Sequence, residues 1–148
     1  MAMQRITLGS VAAIAIIGLV TSVLGALFAT QTFNNTASIK TVGVGVYSDS
    51  ACTTKVTSIN WGTLSPGESR TQTIYVKNEG SVPIVLSMSV GNWTPSNANV
   101  ITVTWNCQNS QLSAGASVQA TLTLTVPTSI SGVTSFSFQI TITGTEQT

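Results

Sequence analysis

Val118-Gln119-Ala120-Thr121-Leu122-Thr123-Leu124-Thr125-Val126 alternates apolar and polar residues without a fault. Successive side chains of a β-strand leave on opposite faces, so this stretch has one core face and one hydroxyl face. Thr on the outer face suits the pleat, because its branched Cβ is stiff, while its hydroxyl stays in water. The same period recurs on both sides of it. Phe136, Phe138, Ile140 and Ile142 alternate with Ser137, Gln139 and Thr141. Ile101, Val103 and Trp105 alternate with Thr102 and Thr104, and Ile84, Leu86, Met88 and Val90 with Val85, Ser87 and Ser89. Ile74 and Val76 sit between Thr73, Tyr75 and Lys77, and Val42, Val44 and Val46 alternate within Thr41 to Tyr47. A weaker strand is expected over Val56–Trp61. Turn residues separate these runs: Ser65-Pro66-Gly67, Asn78-Glu79-Gly80, Thr94-Pro95-Ser96, Ser113-Ala114-Gly115 and Pro127 through Gly132. No helical period competes after residue 38. The pattern predicts an all-β protein, an antiparallel β-sandwich of about seven strands over 41–148, jelly-roll or immunoglobulin-like.

The remainder of the 148 residues is different in kind. After Arg5, the chain from Ile6 to Ala29 carries no charge and only four hydroxyl residues. A secretory hydrophobic region runs about 7–15 residues and a membrane span about 20. Residues 1–29 are therefore expected to form one hydrophobic N-terminal helix, an export signal or a membrane anchor. Gly25, Ala26 and Ala29 offer small residues for cleavage, though no A-x-A site. Cleaved or retained, the segment places the β domain outside the cytoplasm, at the cell surface or beyond it.

Composition agrees with that setting. Charged residues are 6% of the chain, five basic and four acidic, against about 25% in ordinary soluble domains. Ser, Thr, Asn and Gln supply the polarity instead. Lys40, Lys55, Arg70 and Lys77 stand singly, which excludes the clustered cations that nucleic acid requires. Cys52 and Cys107 are an even pair in an exported chain, so a disulfide is expected, with two separately buried thiols as the other reading. Asn34-Asn35-Thr36 and Asn92-Trp93-Thr94 are sequons, which makes Asn34 and Asn92 candidate glycan sites on exposed loops. Trp93, beside Pro95, is the candidate exposed contact residue, whereas Trp105 is in phase with Ile101 and Val103 and belongs to the core.

Chemistry has little to work with. The chain has no His, the commonest general base and a common metal ligand. Asp49, Glu68, Glu79 and Glu146 fall in separate turns or the tail. A Ca²⁺ site from Asp49 and Glu79 would rest on too few ligands. Gly43 and Gly45 form a lone G-x-G with no helix after it, and read as strand glycines that permit close backbone approach. The expectation is a non-enzymatic protein with no cofactor, no metal and no small-molecule substrate.

One longer pattern stands out. The leader ends near Gly25-Ala26-Leu27-Phe28-Ala29 and leads to Phe33-Asn34-Asn35. Asn60-Trp61-Gly62-Thr63-Leu64-Ser65-Pro66-Gly67-Glu68 follows, then Thr73-Ile74-Tyr75-Val76-Lys77-Asn78-Glu79-Gly80-Ser81. Over residues 5–90 this resembles the TasA/camelysin family of secreted, fibre-forming matrix proteins and the related archaeal bundling pilins. The resemblance implies a jelly-roll subunit that joins its neighbours by adding an N-terminal strand to the next subunit's sheet, a homopolymer built through β-augmentation. Carried onto this chain, the donor is the uncharged arm 30–40, with Phe33, Ala37 and Ile39 filling pockets. The metallopeptidase label attached to camelysin does not carry over to a chain without His. Two other readings stay open: a membrane-tethered surface module for binding or adhesion, which keeps residues 1–29, and a type IV-like pilin with a helical core, cleaved near residue 3.

Overall fold

In the computed structural model, residues 33–148 are described; for Phe33, Asn34 and residues 40–42 the backbone alone is described. The expected N-terminal hydrophobic helix lies outside them. Most of the alternating runs become strand: β1 (Phe33–Val42), β2 (Gly45–Tyr47), β3 (Ser58–Leu64), β4 (Ser69–Lys77), β5 (Ile84–Thr94), β6 (Thr102–Trp105), β7 (Gln111–Leu112), β8 (Ser117–Thr125) and β9 (Phe136–Glu146). A 3-10 turn, Ser96–Val100, links β5 to β6 and buries Ala98.

Among the described residues nine strands stand where about seven were expected, for identifiable reasons. The run Thr41–Tyr47 is not one strand. It breaks at Gly43, whose φ of +72° no strand residue adopts, so β1 ends at Val42 and β2 starts at Gly45. The arm 30–40 is itself strand from Phe33 onward, continuous with Val42 and part of the compact unit Thr32–Thr148. Two-residue β7 is too short to show a period.

The strands form two sheets, in the orders β3-β1-β9-β5-β7 and β2-β4-β8-β6. Every odd-numbered strand lies in the first and every even-numbered strand in the second, so each connection crosses from one sheet to the other. All pairings are antiparallel except β1 with β9, which run parallel from Asn35↔Phe136 to Val42↔Thr143.

The core lies between the sheets. Leu86, Ile140 and Ile142 come from one, and Val76, Leu122 and Leu124 from the other, all fully buried. The outer face of the second sheet is a hydroxyl lattice. Ser69, Thr71 and Thr73 of β4 stand opposite Thr125, Thr123 and Thr121 of β8, and Thr102 and Thr104 of β6 extend two of these rows.

Where β3 turns into β4 the sheets curl together, and side chains close the corner. The Arg70 Nη1 donates to the Trp61 carbonyl at 2.7 Å and the Gln72 Nε2 to the Asn60 carbonyl at 3.3 Å. These bonds occupy the outer edge of β3, which would otherwise offer free carbonyls to another chain. Between the two strands, Ser65-Pro66-Gly67-Glu68 is fastened by its own Glu68. That carboxylate accepts from the Ser65 N–H at 2.9 Å and from the Arg70 Nη2 at 2.6 Å.

The turn after β4 is built around Asn78, which is fully buried. Its Nδ2 donates to the Val82 and Leu112 carbonyls at 2.7 and 3.1 Å, and its Oδ1 accepts from the Gly80 N–H at 2.9 Å. Its own backbone bonds Ala116 and Gly115. One residue thus ties its own turn to the connection between β7 and β8.

The disulfide expected between Cys52 and Cys107 is not formed; both thiols are free. Cys52 lies in the loop after β2 and Cys107 just after β6, and these strands are opposite edges of one sheet. Three strand spacings of about 4.8 Å put roughly 14 Å between the edges, while a disulfide needs Cα atoms within about 7 Å. Cys107 is buried, its Sγ 3.6 Å from the Gln119 carbonyl, and burial holds its thiol pKa above the ordinary value.

Candidate functional site

From Phe33 onward, the segment marked as the donor arm occupies the interior of the five-stranded sheet. β1 lies between β3 and β9, and its backbone is bonded on both sides. Alternation sends Asn35 and Ala37 into the core, both essentially inaccessible, with Ile39 half-buried behind them. Of the three expected pocket-filling residues, Ala37 and Ile39 therefore face inward; the side chain of Phe33 lies outside the description.

The floor beneath β1 is aromatic. Ala37 stands beside Phe138 in register, and Asn35 beside Phe136. The Phe138 ring stacks on Trp93 at a centroid distance of 4.4 Å and on Trp61 at 6.4 Å, with Phe136 tilted against Trp93 at 6.1 Å. A small Ala at position 37 suits a place where large rings already fill the volume. Trp93, expected in a loop, is part of β5 and half-buried in this cluster. Trp105 is likewise half-buried, its Nε1 donating to Gln108 Oε1 at 2.9 Å.

On the β3 side the ladder carries a bulge. Asn35 faces Gly62, but Thr36 faces Asn60, so Trp61 is the extra residue. The Asn60-Trp61-Gly62 motif supplies what the bulge needs. Gly62 takes a φ of +70°, and the Asn60 Oδ1 accepts the Gly62 N–H at 2.8 Å. The bulge shifts the phase of β3, so that Ile59, Trp61 and then Leu64 all face the core. The carbonyl of Gly62 points back to β1, where the Asn35 Nδ2 donates to it at 3.3 Å.

At its C-terminal end β1 connects to the second sheet through Gly43 and Val44 alone. A Cβ at Gly43 would lie 2.8 Å from the Gly144 carbonyl oxygen, and one at Gly144 would lie 2.5 Å from Ile84 Cδ1. Of the two glycines expected to allow close backbone approach within a strand, Gly43 makes such an approach but lies in the break between β1 and β2, and a Cβ at Gly45 would meet the Tyr47 and Glu79 side chains instead. Over the outer face of β1, Thr36, Ser38, Ser58, Asn92, Ser137 and Gln139 line a shallow, uncharged depression of about 320 Å³.

The sequon asparagines flank this region. Asn34 lies in β1 opposite Thr63 of β3, within a paired strand rather than a loop. Asn92 is exposed at the β5 bulge with a φ of 55°, its Nδ2 donating to Gln139 Oε1 at 3.0 Å.

Asp49 and Glu79 serve turns. Asp49 accepts the Thr53 and Thr54 N–H groups and the Thr53 hydroxyl, which hold its carboxyl below the ordinary carboxylate value. Glu79 accepts the Tyr47 hydroxyl and pairs with Lys55 at 3.4 Å. That hydrogen bond draws the Glu79 carboxyl down and pushes the Tyr47 phenol up to about 12. The two acids weighed for Ca²⁺ are thus engaged separately, and among the described residues no group of three or more His, Cys, Asp or Glu comes together. Among the same residues, no helix is long and apolar enough to cross a membrane.

Sequence reading missed two residues that matter here, Asn35 and Asn78. Asn-x-Gly spacing flags a turn at Asn78, but nothing local marks Asn35 as buried. No protein-family model matches the chain, and no curated protein matches it.

Proposed function

We propose that this chain is an extracellular structural subunit that polymerises into surface or matrix fibres, its β1 segment completing the five-stranded sheet of the next subunit. One observation carries this reading: the first strand of the domain holds an interior sheet position while being joined to the rest only through Gly43-Val44. Withdrawing β1 leaves an open slot between β3 and β9, and a second copy's β1 fits it with the same bonds. Contacts in the two arrangements are identical, so the balance between them is set by the short connection and by concentration. Donation from each subunit to the next does not close on itself and yields a filament. The outer faces carry few charges and so present little like-charge repulsion to neighbouring subunits.

In this reading residues 1–29 direct export, the sandwich is of jelly-roll type, and the partner is another copy of the chain rather than a nucleic acid, a cofactor or a small substrate. The test is sedimentation velocity with negative-stain microscopy on the native protein, after its N-terminus has been sequenced. A start between Ala26 and Thr30 and concentration-dependent filaments are expected. A protein that stays monomeric at high concentration, or that starts at Met1 and remains membrane-bound, overturns the fibre in favour of the tethered module.

A further inference from the structure

We infer that Asn35 fixes the register of the donated strand by reading the Gly62 bulge of the subunit that receives it. The inference rests on the strand-donation reading. Within one chain, the two-residue crossover at Gly43-Val44 already limits where β1 sits. A strand arriving from another copy has no such tether to the slot it enters.

Such a strand has an ambiguity that the apolar pattern does not resolve. A slip of one residue exchanges the faces of β1 and puts Thr36 and Ser38 in the core, so it is excluded by burial. A slip of two keeps Ala37 and Ile39 facing inward and Thr36 and Ser38 outward. One direction puts the larger Ile39 in the place of Ala37 over the Phe138 ring, which size opposes though alternation allows it, and the other puts Asn35 there. Asn35 breaks the repeat. Among the described side chains of β1 it is the polar one on the inward face, fully buried, and its Nδ2 meets the Gly62 carbonyl.

That carbonyl is the one distinctive mark on the β3 edge of the slot, and the receiving chain holds it in place. The Asn60 side chain bonds the Gly62 N–H at 2.8 Å, and Arg70 bonds the Trp61 carbonyl at 2.7 Å. A slip of two would bring Phe33 or Ala37 to the bulge, leave the Gly62 carbonyl without the Asn35 amide and move the buried amide away from it. An unserved buried polar group is costly, and a single buried Asn is known to set register in coiled coils by the same logic.

Disulfide trapping tests this on the full chain carrying Cys52→Ser and Cys107→Ala. Ser38 and Gln139 are register partners on the outer faces of β1 and β9, while Ser137 and Thr141 are the partners after a slip of two either way. Ser38→Cys is combined in turn with Gln139→Cys, Ser137→Cys or Thr141→Cys, and coupling is read on non-reducing gels and by mass. With Asn35 present, the Gln139 pair is expected to couple, between chains, at least tenfold faster than the slipped pairs. With Asn35→Val, the slipped pairs should rise to within about threefold of it. The double variant Asn35→Ala, Ala37→Asn keeps the composition and should shift preferred coupling to the Ser38/Ser137 pair. Coupling between chains that keeps one register in both variants overturns the role of Asn35 and leaves strand donation standing. Coupling only within single chains overturns strand donation, and the inference with it.

Discussion

Asn78 shows how much one side chain carries in this fold. Its amide serves Val82 and Leu112 while accepting Gly80, and all of this happens out of reach of water. Asn78→Ala strips partners from two carbonyls and one N–H. Each group left buried without a partner costs about 1–3 kcal/mol, and partial relaxation makes roughly 2–4 kcal/mol a reasonable total. Urea denaturation should show the midpoint falling with the slope unchanged. A loss below about 1 kcal/mol would mean that water enters the turn and replaces the amide. The sequence places a turn at Asn78 but cannot show that it is buried, because Leu112 lies 34 residues on. Asn35 was hidden in the same way: its neighbours in the chain are ordinary strand residues, and only the bulge across the sheet explains an amide in the core.

At the scale of elements, period two located the strands, because one buried face is enough to write the pattern. The ends of strands were less legible. Gly43 stops β1 through its φ and its contact with Gly144, a residue a hundred positions away, so Val42, Val44 and Val46 looked like one run. The absent disulfide has a similar origin, since an even cysteine count carries no information on which sheet edge each loop leaves. The β3–β4 corner makes a claim about pH. Glu68 is drawn below the ordinary 4.5 by the Ser65 N–H first and by Arg70 second. A carboxyl depressed in the folded state adds stability that is fully present above its unfolded value and is lost as pH falls through the folded one. Stability should therefore decline on acidification below about pH 4.5, with Asp49 and Glu79 contributing in the same direction. Glu68→Gln keeps an acceptor for Ser65 but no charge, so its stability should fall less steeply over that interval while being lower at neutral pH. Thermal melts from neutral to strongly acidic buffer check this. Parallel curves for the two proteins would show that the corner is held by Arg70 and Gln72 on the β3 carbonyls alone.

For the whole molecule, the alternation of sheets along the chain has a kinetic consequence. Sequence-adjacent strands never pair: β4 pairs with β2 and β8, and β9 with β1 and β5. Among the described residues no two neighbouring strands form a hairpin, so even the nearest strand pairing, β6 with β8, must first close a loop containing all of β7. The entropy of that closure is spent before any ladder bond repays it. Folding dominated by distant contacts falls in the millisecond-to-second range, far slower than hairpin formation at about 1–10 μs. Stopped-flow tryptophan fluorescence should follow the burial of Trp61 as a phase of milliseconds or slower. The β1–β9 pair is the most distant of all, joining the first and last strands, so its formation waits until nearly the whole chain is ordered. Until then the slot between β3 and β9 stands open to the β1 of any nearby copy. Refolding at rising protein concentration should therefore increase the yield of strand-exchanged assemblies at the expense of monomer, measured by size exclusion after fixed refolding times. A monomer yield independent of concentration would mean that the chain fills its own slot before a second chain can reach it.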